Sequence, residues 1–132
     1  MNNLIPSKKI YVSQSKIVNG GRGVFASELI ESGEIIERCP FIEIDNLGFE
    51  FIENTILFSY VYFFGKTKKR ILIALGFGSI YNHSYKPNAK YIIKPKEKII
   101  EFRSILEIKK DDEILVNYNQ ESNDAKPLWF ED

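Results

Sequence analysis

The sequence predicts a mostly β domain of several short sheets with little helix. Short apolar runs rich in β-branched and aromatic residues recur along the chain, and such side chains suit the pleated, half-buried surface of a strand. Turn-forming residues separate them at close intervals. Only one segment, residues 49–64, departs from this rhythm.

Taken in order, strands are expected at Ile10-Tyr11-Val12, Gly23-Val24-Phe25-Ala26, Glu34-Ile35-Ile36-Glu37, Phe41-Ile42-Glu43-Ile44, Arg70-Ile71-Leu72-Ile73-Ala74, Tyr91-Ile92-Ile93, Ile99-Ile100-Glu101-Phe102 and Ile114-Leu115-Val116. Between them lie the turns Asn19-Gly20-Gly21, Ser32-Gly33, Asp45-Asn46-Leu47-Gly48, Lys94-Pro95-Lys96 and Lys110-Asp111-Asp112. In residues 49–64 the aromatic and β-branched content suits either state, so periodicity does not decide. One or two helical turns over 50–58, then a strand, is the expectation. The turns at 31–36 and 110–115 look alike, each a polar turn ahead of an acidic residue and an apolar strand. No repeat, linker or low-complexity segment interrupts the chain.

With 132 residues, 44% of them hydrophobic, the chain is sized for one domain with a real core. Eighteen basic and eighteen acidic residues cancel, so no global field favours nucleic acid or a membrane surface. The basic run Lys66-Thr67-Lys68-Lys69-Arg70 reads as a solvated hairpin or loop, with a contact for an acidic partner as the alternative. One cysteine, Cys39, excludes an internal disulfide framework and a cysteine-rich zinc site, and with a single histidine, His83, no metal centre is expected. The first residues lack a signal peptide's apolar core, and no span reaches transmembrane length. An intracellular, cytoplasmic protein without a membrane partner is therefore expected, with secretion into a host by another route left open. The polar stretch before Pro127 reads as a loop, yet Leu128-Trp129-Phe130 follows it. Leaving Trp129 in water would forfeit about 2–3 kcal/mol of burial, so these residues are expected to dock on the domain or a partner.

Nucleophilic triads find little support around the one imidazole. Cys39 precedes Pro40 in an apolar strand, a poor place for a Cys–His pair. The Asn19-Gly20-Gly21-Arg22-Gly23 cluster lacks the helix and lysine of a phosphate loop. Its glycines instead permit positive φ and close approach of a ligand to main chain. Asn82 offers two donors and an acceptor, suited to the edge of a heterocycle, although Asn-His-Ser alone is more often a cap or Asx turn. Tyr118, alone, is a strand-end aromatic.

In order and together these signals become specific. Gly21-Arg22-Gly23-Val24-Phe25-Ala26, then Asn82-His83-Ser84 with Pro87-Asn88, then Asp112-Glu113-Ile114-Leu115-Val116-Asn117-Tyr118 resemble the three motifs of SET-domain protein lysine methyltransferases. The small free-standing viral and bacterial members are most similar, and the likeness covers about residues 8–119. It implies a single SET domain over 1–132, of the β-clip fold, with a C-terminal pseudoknot and a tail, 120–132, closing the substrate channel. The implied donor is S-adenosyl-L-methionine, leaving as S-adenosyl-L-homocysteine, with no metal. Carried over by motif, Gly21, Arg22, Gly23, Val24, Asn82, His83, Tyr118 and Trp129 would hold the donor, the His83 backbone pairing with adenine. Tyr81, Val116, Tyr118, Trp129 and Phe130 would line the lysine channel, and Tyr118 would be the catalytic residue.

The resemblance also implies a protein or peptide substrate presenting lysine, histone-like or otherwise, and a possible homodimer. Nucleic acid is not an expected partner. Relatives' zinc-binding cysteine segments are absent here, Arg22 replaces a frequent aromatic, and Asn119 replaces a common glycine. Val116 stands where relatives often carry an aromatic that sets methylation number; a small side chain there would leave room for higher methylation. A catalytically weak module that binds donor or peptide is the alternative reading.

Overall fold

The computed structural model describes residues 3–65 and 70–119. Among these residues the chain runs β1 (Ile10–Gln14), β2 (Arg22–Ala26), β3 (Ile35–Ile44), α1 (Asn46–Ile52), a 3-10 turn (Ile56–Tyr60), β4 (Val61–Phe64), β5 (Arg70–Ala74), β6 (Asn82–His83), β7 (Ala89–Lys94), β8 (Ile99–Ser104) and β9 (Glu113–Val116). Two sheets result. The smaller has the order β1-β2-β9-β6 and the larger β4-β5-β3-β8-β7. The mostly β class expected from the sequence is the observed one.

Two boundaries differ from expectation. The runs at 34–37 and 41–44 form one strand, β3, which changes partner midway. Cys39 and Pro40 face Ile100 and Ile99 of β8, whereas Phe41 faces Ala74 of β5. Pro40 has no N–H to give, and it sits where the ladder changes hands. Its carbonyl still accepts from Leu75, and Phe41 donates onward to the Lys98 carbonyl. The second difference is that α1 begins inside the expected turn at 45–48. The Asp45 side chain accepts from the Gly48 N–H at 2.8 Å, an N-cap that turns Asn46-Leu47-Gly48 into the first helical turn.

Neither α1 nor the 3-10 turn has a buried residue. They are tied to β4 by edge-on aromatic contacts, Phe49 to Phe58 and Phe58 to Phe63, each with centroids 5.7 Å apart. The core lies between the sheets, where Val24, Ile36, Leu72, Ile100, Phe102, Ile114 and Val116 are buried. The look-alike turns prove to be neighbours. Ile30 and Ile108, just ahead of them, exchange a pair of 2.8 Å backbone hydrogen bonds and are both buried.

The feature that places the site is the lacing of residues 82–88 against β9. β6 pairs parallel with β9, Asn82 beside Leu115 and His83 beside Val116. The Ser84 N–H then donates to the Val116 carbonyl at 2.9 Å. Asn88 finishes the job with its side chain. Its Oδ1 accepts from the Leu115 N–H at 2.8 Å and its Nδ2 donates to the Glu113 carbonyl at 2.9 Å. Asn88→Ala leaves both backbone groups unmet and is expected to cost about 2–3 kcal/mol, read by denaturant unfolding. Asn88→Asp keeps the acceptor for Leu115 and should cost less; equal losses would contradict this division.

Candidate active site

A cleft of about 580 Å³ lies beside the lacing. Its lip is the loop after β1, its far wall is Ser59-Tyr60 with Ser79-Ile80, and Asn82, His83 and Tyr118 also line it. The lip is a closed loop. The Ser15 N–H donates to the Gly21 carbonyl at 2.8 Å, and Gly20 donates to Ile17 at 2.9 Å. Asn19 and Gly21 both take φ of +63°, the left-handed region that Gly and Asn adopt most readily.

Glu113, at the start of β9, faces this lip. Its carboxylate accepts from Ser15 Oγ at 2.8 and 2.9 Å, from the Lys16 N–H at 3.2 Å and from Asn82 Nδ2 at 2.9 Å. Asn82 Nδ2 also donates to the Arg22 carbonyl at 2.9 Å. Both amide N–H groups of Asn82 thus point at oxygens that only accept, and its remaining polar atom is the acceptor Oδ1.

His83 and Tyr118 bind each other. The Tyr118 N–H donates to His83 Nδ1 at 3.0 Å, so the imidazole side chain pins the residue after Asn117 to β6. Expected to act mainly through its backbone, His83 therefore also has a positioning role through its ring. The Tyr118 hydroxyl donates to the Tyr81 carbonyl in a short hydrogen bond. Burial pushes the Tyr118 phenol well up, and the Glu113 carboxylate adds to that. Tyr118 is thus a neutral donor.

Burial likewise raises Tyr62 and Tyr81, whose hydroxyls donate to the Gly78 carbonyl at 2.6 Å and to Glu37 Oε1 at 2.8 Å. A phenol whose folded value lies above its unfolded value stabilises fully below the unfolded value of about 10, and that stability is lost as pH rises past it. Alkaline titration is therefore expected to show the buried Tyr62 and Tyr81 ionising only with unfolding, by tyrosinate absorbance against circular dichroism. Their titration ahead of unfolding would contradict the burial.

Of the residues expected at the donor, Gly21, Arg22, Asn82, His83 and Tyr118 line the cleft. Gly23 and Val24 lie behind it, Val24 fully buried. Two residues expected along the lysine channel pack inside the domain. Tyr81 and Val116 are buried in the core, the Tyr81 ring stacked on Phe102 with centroids 4.1 Å apart. The Tyr81 carbonyl faces the other way and accepts from the Tyr118 hydroxyl. Trp129 and Phe130 lie outside the described residues. Cys39 is buried, and burial pushes its thiol up and away from nucleophilic use. Sequence reading missed Tyr60, Ser79 and Glu113. Glu113 stood inside a quoted motif with no role, and Tyr60 in the segment of mixed propensity.

Together these features define a class: a β-rich domain with a cleft that mixes apolar and polar lining and is bordered by a half-buried, neutral tyrosine. The family model described as the SET domain matches residues 21–119, and the chain belongs to that family. It is 33% identical over 113 residues to a Schizosaccharomyces pombe histone-lysine N-methyltransferase specific for H3 lysine 37, covering 85% of this chain and 71% of the relative. It is similar to the crystal structure of a candidate histone methyltransferase from Plasmodium falciparum, with 37% identity, a TM-score of 0.64, and 84% and 93% of the two chains covered. A Chaetomium thermophilum Polycomb repressive complex 2 structure, bound to S-adenosylmethionine in an autoinhibited conformation, matches at 25% identity and a TM-score of 0.67. That match covers 85% of this chain and 15% of the other.

Proposed function

We propose that this chain transfers methyl groups from S-adenosyl-L-methionine to the side-chain amine of a lysine in a protein substrate. The observation that carries the reading is the Tyr118 hydroxyl fixed on the Tyr81 carbonyl beside a cleft lined by Asn82 and His83. The residues present fit the donor. Asn82 has an acceptor suited to an ammonium group, and at Gly21 the space a Cβ would occupy is open. When bound, the donor supplies an electrophilic methyl on a sulfonium.

In this reading the main chain of Gly21 and Arg22 holds the methionine end, Asn82 receives the amino group, and the His83 backbone meets adenine. The lacing of 82–88 with 113–118 is the pseudoknot that brings these groups beside Tyr118. Tyr118 orients the amine and does not abstract its proton, because its phenol stays protonated. Transfer then depends on alignment more than on acid–base chemistry. A lysine amine entering a poorly hydrated channel loses its proton more readily than the ordinary value of about 10.4 implies.

The substrate is a histone-like protein, following the Schizosaccharomyces pombe relative. The test is transfer of a radiolabelled methyl group into histones and a lysate, alongside donor titration calorimetry. No incorporation with the donor still bound would leave only a binding module; no donor binding would remove the reading altogether.

A further inference from the structure

We propose that Glu113 is a positioning residue for the donor: it locks the Asn82 amide and the 15–21 lip into the one arrangement that presents Asn82 Oδ1 to the ligand. This rests on the donor reading above. A single carboxylate on β9 reaches past β2 to the far side of the small sheet. There it gathers the Ser15 hydroxyl and the Lys16 N–H, and from the adjacent strand β6 it takes the Asn82 amide, all at 2.8 to 3.2 Å. It is buried, 8% exposed, so these bonds are shielded from water.

The reach is possible because of Gly23. A Cβ there would sit in the Glu113 carboxylate, 3.0 Å from its Cδ and 3.1 Å from Asn82 Nδ2. Gly23 therefore serves the carboxylate bridge, whereas Gly21 borders the cleft. The geometry also fixes which way Asn82 points. A flipped amide would set Oδ1 against the Glu113 carboxylate and the Arg22 carbonyl, two acceptors. With Glu113 in place the amide has one orientation, and its acceptor is left for a donor ammonium. Glu113 touches no reacting atom in this account; it acts through Asn82 and the lip.

The experiment is calorimetric titration of the full chain with S-adenosyl-L-methionine and with S-adenosyl-L-homocysteine. Wild type, Glu113→Gln, Asn82→Ala and the double variant are compared. Glutamine puts an N–H among groups that already donate, so Glu113→Gln is expected to raise both dissociation constants about tenfold, near the worth of one charge-assisted bond. The kcat at saturating donor should hold within about threefold, since the chemistry is untouched. The double variant should lose less than the sum of the two single losses, because residues that share a hydrogen-bond network are not additive, while the released lip still adds to the loss of Asn82→Ala alone.

Ser15→Ala, which frees the lip but leaves the charge, should weaken both ligands about threefold and keeps the question open to test should Glu113→Gln not fold. Unchanged affinity in Glu113→Gln, additive losses in the double variant, or a loss confined to the sulfonium-bearing ligand would each overturn the proposal. Failure of the wild type to bind either ligand would instead remove the donor reading, and this proposal with it.

Discussion

Tyr118→Phe is expected to lower kcat about a hundredfold, the scale on which one well-placed hydrogen-bonding group contributes to a transition state. Donor affinity should stay within about twofold, and stability should fall by about 1 kcal/mol for the lost bond to Tyr81. The reason lies in how the phenol is held. Its hydroxyl is committed to a buried carbonyl, its backbone N–H to His83, and burial keeps it protonated far above neutral pH. A phenol in that state can align an amine but cannot take its proton. The pH dependence follows with a definite sign. In wild type, kcat/KM should rise with pH as the substrate lysine loses its proton, toward the ordinary value of about 10.4 or somewhat below it. Tyr118→Phe should give a parallel curve at a lower level. If the variant instead lost the rising limb, Tyr118 would be titrating in the wild type, and the assignment as a neutral orienting group, its oxygen accepting from the amine, would be wrong.

What the sequence shows of this fold is what local chemistry decides. Strands such as Arg70–Ala74 and Ala89–Lys94 carry enough β-branched and aromatic residues to be placed from composition, with boundaries off by a residue or two. The continuity of β3 through Pro40 was not legible. It depends on two partners distant in sequence, β8 and β5, meeting the strand from opposite ends. The same holds for side-chain direction around the site. Tyr81 adjoins Asn82 in the motif, yet its ring turns to Phe102 and Glu37 while its carbonyl faces Tyr118. A motif fixes which residues meet; it does not fix which of their atoms do. Glu113 shows this most plainly, since its three partners come from residues 15, 16 and 82, and no local pattern announces them.

Two glycine substitutions separate these contributions, and Gly23→Ala is expected to be the more damaging. Gly23 does not need a glycine's backbone freedom, because its φ is not among the positive ones. It needs the absence of a side chain. An added methyl would occupy the Glu113 carboxylate, and that carboxylate cannot move aside without releasing Ser15, Lys16 and Asn82. The overpacking costs about 1–3 kcal/mol, and each bond broken in relief adds about 1 kcal/mol. Gly21→Ala is the contrasting case. Gly21 has φ of +63° but nothing within 4 Å of the added atom, so it carries only the left-handed backbone penalty, about 1–2 kcal/mol. Denaturant unfolding should therefore rank Gly23→Ala as the larger loss, and donor titration should show it weakened at least tenfold, as for Glu113→Gln. Gly21→Ala should retain the Asn82 orientation and lose affinity less. The reverse ranking would mean that the loop's left-handed turn, and not the carboxylate bridge behind it, holds the cleft in shape.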